Sequence, residues 1–247
     1  GIPASATPGH PPAGSRSASP TASYDREVAF RRVDFDLPVE KFHALDFTGA
    51  GNQLWVPRLD DRSTLVLGST QPVELVDTAR AASRGVTVAR RRSGGGMVLV
   101  SSADVIWVDV IIDDANPHWT PDIGRAFEFV GAACARALET LGHPTDMHPA
   151  RQSSSARPEI CFAGVGAGEL TSAGRKVVGI SQRRTRDTAR FQIAVLRRWR
   201  PGDYTVLLAL DEAAREVAAD ELREVATGID APPSEVVRAL HTALDDS

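Results

Sequence analysis

Hydrophobic positions in this chain fall mostly into short runs, with only a few longer helical stripes. Residues 64–68, Thr-Leu-Val-Leu-Gly, form an apolar run closed by glycine, which reads as a buried strand. Residues 28–33 and 86–89 read as further short strands, and β-rich runs cover 97–100 and 105–112. Helical spacing is expected over 73–83, with a short helix after Pro38 that contains Phe42, Leu45 and Asp46. The clearest helix spans 121–141: Pro121 sits in its first turn, Ile123, Phe127, Val130, Cys134 and Leu138 recur at 3.6-like spacing, and Gly142 follows. Cys134 is therefore read as a small core residue. Residues 177–182 and 191–196 are expected as adjacent strands joined by a hairpin carrying Arg183, Arg184, Arg186 and Asp187, and short helices are expected at 211–225 and 234–244. The pattern predicts an α+β fold, a large mixed, mostly antiparallel sheet flanked by helices, because regular βαβ alternation is missing.

Composition sets the boundaries of that fold. Residues 1–25 are almost all Pro, Ser, Ala, Gly and Thr and predict a disordered tail, leaving 26–247 as one folded domain. The 247 residues, 42% hydrophobic and 24% charged, exclude a disulfide miniprotein and a wholly disordered chain. The richest apolar stretch, 98–112, is interrupted by Ser101, Ser102, Asp104 and Asp109 and falls short of the ~18–20 residues of a spanning helix. With two cysteines and no signal-like segment, the expected location is the cytoplasm.

Charge is distributed unevenly. Between residues 173 and 200 nine basic side chains face the single acid Asp187, whereas from 203 to 247 eleven acids face Arg215, Arg223 and Arg238. The basic block either meets an anionic ligand or acidic partner, or is neutralised by the acidic block within the fold. Of the 28 Lys and Arg residues only Lys41 and Lys176 are lysines, which singles out Lys176 as a compact point charge among guanidiniums. Nucleic-acid binding is disfavoured, since few aromatics accompany the arginines and the pI is about 5.9.

Two segments carry candidate chemistry. Arg91-Arg92-Ser93-Gly94-Gly95-Gly96 lies between two predicted strands and offers consecutive unobstructed backbone N–H groups beside guanidiniums, which suits phosphate or carboxylate oxygens or a simple mobile turn. It is neither a P-loop nor a dinucleotide fingerprint. In Gly174-Arg175-Lys176-Val177-Val178-Gly179-Ile180-Ser181-Gln182, a lysine stands at the start of a strand between glycines, where it either faces solvent or neutralises a phosphate or developing oxyanion.

Arg-Arg-x-Ser-Gly-Gly-Gly-x-Val followed downstream by Gly-Arg-Lys-Val-x-Gly-x-Ser-Gln resembles the biotin/lipoate protein ligase superfamily, specifically its lipoate–protein ligase A branch. The resemblance covers about residues 28–210 and implies a catalytic domain that binds lipoate or octanoate beside the Gly-rich loop. It also implies ATP and Mg²⁺, an acyl-adenylate, and transfer to a lysine on lipoyl domains of 2-oxoacid dehydrogenase complexes or the glycine-cleavage H protein. On that basis Arg92, Ser93, Gly94, Gly95, Gly96, Lys176 and Gly179 form the acyl-adenylate site, with Lys176 on the acyl carbonyl and α-phosphate. No metal ligand is assigned. Many such ligases carry a C-terminal accessory domain, for which the residues after Leu210 are too few.

Cys161-Phe162, followed by Glu169-Leu170 and Gly174-Arg175-Lys176, also resembles the cysteine-dependent octanoyltransferases of the same superfamily, which take octanoyl from acyl carrier protein without ATP. Cys161 is then the nucleophile, with Lys176 favouring its thiolate; otherwise it is an inert thiol in a strand between Ile160 and Phe162. The chain departs from the family at Met97-Val98-Leu99-Val100-Ser101, where Ala-Val-x-His-Asp is usual, and at Phe191-Gln192-Ile193-Ala194, where a His-Gly pair is usual. A non-catalytic acyl or nucleotide binder is therefore a further alternative.

Overall fold

The computed structural model describes residues 29–149 and 157–247, together with Gly1. Residues 2–28, which hold the rest of the expected tail, and residues 150–156 lie outside the described residues. Two sheets face each other. The larger has seven strands: β1 (Arg31–Phe35), β2 (Gln53–Pro57), β6 (Val105–Asp113), β7 (Asp146–Met147), β8 (Leu170–Ser172), β9 (Arg175–Arg184) and β10 (Thr188–Leu196). They run in the order β1-β2-β6-β10-β9-β8-β7, all antiparallel except β1 with β2. The smaller sheet places β3 (Thr64–Leu67) between β4 (Thr87–Arg90), which is parallel to it, and β5 (Val98–Val100).

The alternation of β6 explains how the layers stack. Ile106, Val108, Val110 and Ile112 point to one face and pack beneath α3 (Ala126–Thr140) and α6 (Pro233–Asp245). Val105, Trp107 and Ile111 point to the other and meet the small sheet through Val66, Val98 and Val100, with Phe42 of α1 (Val39–Ala44) closing the side. The far face of the small sheet packs through Leu65, Leu67 and Leu99 on α4 (Pro201–Thr205), α2 (Thr78–Ser83) and α5 (Glu212–Glu221) with its C-cap Leu222.

Several elements differ from expectation for local reasons. The single helix over 73–83 is a 3-10 turn, Val73–Leu75, then a bridge from Val76 to Leu208, then α2, whose first turn is capped by the Asp77 carboxylate accepting from Arg80 N–H. The long helix begins at Ala126, so Pro121 lies outside it. Asp122 Oδ1 accepts from the N–H groups of Gly124 and Arg125, turning the chain first and leaving Ile123 62% exposed instead of in the core. Residues 161–163 form a 3-10 turn, Cys161–Ala163, where a strand was one reading.

The basic hairpin is also smaller than its sequence suggests. Arg183 and Arg186 are exposed, but Arg184 stacks on Trp119 at 4.3 Å and donates to Thr120 O. Arg190 is buried between the sheets. Its position two residues inside β10 turns it toward the inner face, where its Nε and Nη2 both lie 2.5 Å from Asp109 Oδ2. Elsewhere the basic and acidic blocks do meet, as in the Arg175–Glu224 pair.

Asp109 also accepts from Trp107 Nε1 at 2.7 Å and from Gln192 Nε2 at 3.3 Å, while Arg190 donates on to the carbonyls of Leu45 and Phe42. Burial alone pushes the Asp109 carboxyl above its usual range, and Arg190 opposes that shift. Arg190→Met, which leaves this carboxylate without its counter-charge, is expected to cost about 3–5 kcal/mol in urea unfolding, and adding Asp109→Leu is expected to recover most of the loss.

Candidate active site

Strand β8 pairs with β9 only as far as Val178, so the rest of β9 has a free edge. Along that edge lies a cavity of about 780 Å³. Gly94, Gly95 and Gly96 form one wall, and Ile123, Gly124 and Phe127 approach from the start of α3. Cys161 and the loop 164–167 supply the floor, and β9 contributes Lys176, Ile180, Ser181 and Gln182.

The glycine loop is fixed from beneath by Arg91, which is 1% exposed. Its Nη2 donates to Gly94 O and Gly96 O, both at 2.8 Å, its Nε to Ser93 Oγ and its Nη1 to Val66 O. Ser93 O accepts from Ser69 N–H, and Gly95 O lies against Gly68, where a side chain would collide with it. Carbonyl and N–H point in opposite directions across a trans peptide. With the carbonyls of Ser93, Gly94 and Gly95 held inward, the N–H groups of Gly94, Gly95 and Gly96 point outward. These N–H groups have no partner among the described residues. Gly95 adopts φ +96°, a conformation that favours glycine.

Cys161 meets this loop directly, since its N–H donates to Met97 O and a side chain at Gly96 would strike its backbone. Its Sγ lies 4.0 Å from Lys176 Nζ. Lys176 is 1% exposed, and its ammonium is saturated by Glu169 Oε2 at 2.6 Å, Cys161 O at 2.7 Å and Gly164 O at 2.8 Å. Glu169 in turn accepts from the N–H groups of Gly166 and Ile180, tying the floor loop to the strand edge. Gly179 makes room for the pair, because a Cβ there would lie 3.2 Å from Cys161 Sγ and 3.5 Å from Lys176 Cε.

A buried polar chain leads from the cavity into the space between the sheets. Ser181 Oγ is 2.9 Å from Ser93 Oγ, Ser93 Oγ is 2.6 Å from Gln192 Oε1, and Gln192 Nε2 reaches His43 Nδ1 at 3.0 Å as well as Asp109. Burial, then Arg190 and Arg91, lower the pKa of His43 from 6.5 to about 3, so the ring is neutral and Nδ1 accepts.

The structure thus brings Cys161, Lys176, Gly179 and Gly94, Gly95 and Gly96 to one site, with Ser93 just beneath. Arg92 is exposed and does not line the cavity, while its neighbour Arg91 is the buried guanidinium. Arg91 was legible as the second arginine of Arg-Arg-x-Ser, and Glu169 and Ser181 stood within the quoted motifs, but their places at the site follow only from their tertiary partners.

Residues 51–231 match the lipoyl protein ligase A/B catalytic domain family, and the chain belongs to that family. It is 29% identical over 124 residues to the octanoyltransferase LipM of Moorella thermoacetica, a match spanning 49% of this chain and 45% of that protein. The fold is similar to the bipartite lipoate protein ligase of Thermoplasma acidophilum, described with its E2 lipoyl domain (TM-score 0.69, 20% identity, 89% of this chain and 83% of that one). It is also similar to a lipoate–protein ligase A bound with ATP (TM-score 0.65, 17% identity, 88% and 85%).

Two outcomes follow from these environments. Burial pushes the Cys134 thiol up to about 12, so iodoacetamide applied to the native protein is expected to label Cys161 and spare Cys134, as read by peptide mass mapping. Below pH 6.5 the unfolded chain protonates His43 while the folded chain does so only near 3. The stability contributed by His43 is therefore complete above pH 6.5 and falls with pH through that window, by up to ~1.4 kcal/mol per unit. Urea midpoints at pH 7 and 5.5 are expected to differ less in His43→Gln than in the wild type.

Proposed function

We propose that this protein is an acyltransferase that carries an octanoyl group as a thioester on Cys161 and passes it to a lysine of a lipoyl domain. The observation that carries this reading is the position of Cys161, which lines the cavity floor with its Sγ 4.0 Å from the Lys176 ammonium. Cys161 gives up its proton and attacks the thioester carbonyl of octanoyl-acyl carrier protein; the carbon–sulfur bond to the carrier breaks, and the carrier sulfur leaves and takes up that proton. The unpartnered N–H groups of Gly94, Gly95 and Gly96 support a role as donors to the oxyanion, a task Lys176 is less suited to because its three donors are taken. The acceptor lysine then attacks the S-octanoyl carbon, an amide forms, and Cys161 is released as the thiol. Ile123, Phe127, Val165 and Ile180 offer an apolar wall for the alkyl chain. The acceptors are lipoyl domains of 2-oxoacid dehydrogenases or the glycine-cleavage H protein, met in the cytoplasm.

ATP and Mg²⁺, which the ligase reading needs, fit this donor set poorly. Glu169 is the cavity's carboxylate and is committed to Lys176, and Arg91 is committed to backbone carbonyls.

Intact-mass measurement of an unmodified lipoyl domain tests the reading. Octanoyl-acyl carrier protein without ATP is expected to add one octanoyl group, and Cys161→Ser to reduce that transfer by at least about a hundredfold. Modification that requires free octanoate or lipoate with Mg·ATP and survives Cys161→Ser would establish the ligase instead.

A further inference from the structure

We infer that Ser181 holds the acceptor lysine by its N–H and aims its lone pair at the acyl group on Cys161. The inference rests on the thioester reading and follows from the direction of the hydrogen bonds beneath the cavity. Both oxygens of Asp109 accept, from Trp107 and from Arg190, so the Gln192 group facing it is the donor Nε2. Gln192 Oε1 therefore faces Ser93, and at 2.6 Å it takes the Ser93 hydroxyl proton. Arg91 Nε can only donate, and it occupies one acceptor position on Ser93 Oγ. At 2.9 Å the remaining contact of Ser93 must then be accepted as well, so Ser181 donates its only proton to Ser93. On the cavity side Ser181 Oγ presents lone pairs alone.

That polarity matters for an amine nucleophile. A hydroxyl donor would engage the nitrogen lone pair and mask it, whereas an acceptor binds one N–H and leaves the lone pair free to attack. The placement agrees. Gly179 and Ser181 face the same side of β9, about 7 Å apart along the strand, and Gly179 lies under Cys161 Sγ. A nitrogen about 3 Å from Ser181 Oγ and about 3–3.5 Å from a thioester carbon on Cys161 spans that separation.

The test is a single-turnover comparison of wild type, Ser181→Ala and Ser181→Thr, loading each full chain from octanoyl-acyl carrier protein and then adding a lipoyl domain. Ser181→Ala is expected to form S-octanoyl-Cys161 at the wild-type rate but transfer it about tenfold more slowly, with Ser181→Thr restoring transfer. Transfer by Ser181→Ala at the wild-type rate, or equal slowing of loading and transfer, would overturn the assignment of Ser181 while leaving the thioester reading intact. Absence of S-octanoyl-Cys161 in the wild type would overturn both.

Discussion

A carboxylate buried between two sheets has to be satisfied by donors from the protein itself, and Asp109 meets that requirement with Arg190, Trp107 and Gln192. Because a carboxylate only accepts, it fixes which end of the Gln192 amide faces it, and that choice passes through Ser93 to the cavity. Arg190 continues outward to the carbonyls of Phe42 and Leu45, so the same pair also fastens α1 across the sheet. The departure from the family's His-Gly pair at Gln192 is therefore not an empty loss of polarity. Gln192 joins a satisfied network, in which the neutral ring of His43 is the last acceptor.

Around the cavity the strong charges are already compensated. Lys176 is matched by Glu169 and two carbonyl oxygens, and Arg91 by four acceptors of its own loop and β3. What remains unpartnered among the described residues is the backbone N–H of Gly94, Gly95 and Gly96, held outward because the carbonyls are held inward. In the proposed reaction such donors, fixed beforehand, would lose little to reorganisation as charge develops. Lys176 and Glu169 also join the turn bearing Cys161 to the edge of β9, which couples the position of the thiol to the large sheet.

Residue periodicity alone was enough to locate most of the strands, the hairpin and the two C-terminal helices, because burial on one or both faces forces apolar runs of period two or 3.6. The two motifs, Arg-Arg-x-Ser-Gly-Gly-Gly and Gly-Arg-Lys-Val-x-Gly, pointed to the family by resemblance. Other features left no local trace. Strand β2, Gln-Leu-Trp-Val-Pro, lacks alternation because nearly all of it is buried, and β7 and β8 are too short to show a period. The exposure of Ile123 depends on an Asp122 turn that helical spacing cannot reveal. Arg190, one of the nine basic residues between 173 and 200, is assigned to the interior only through its partner, 81 residues away. Sequence determined the elements and the residue types at the site, since those follow from short-range sterics and periodicity. Tertiary structure decided which arginine is buried, whose donors are already taken, and which way each hydroxyl points, because such properties belong to partners that meet only when distant strands pack.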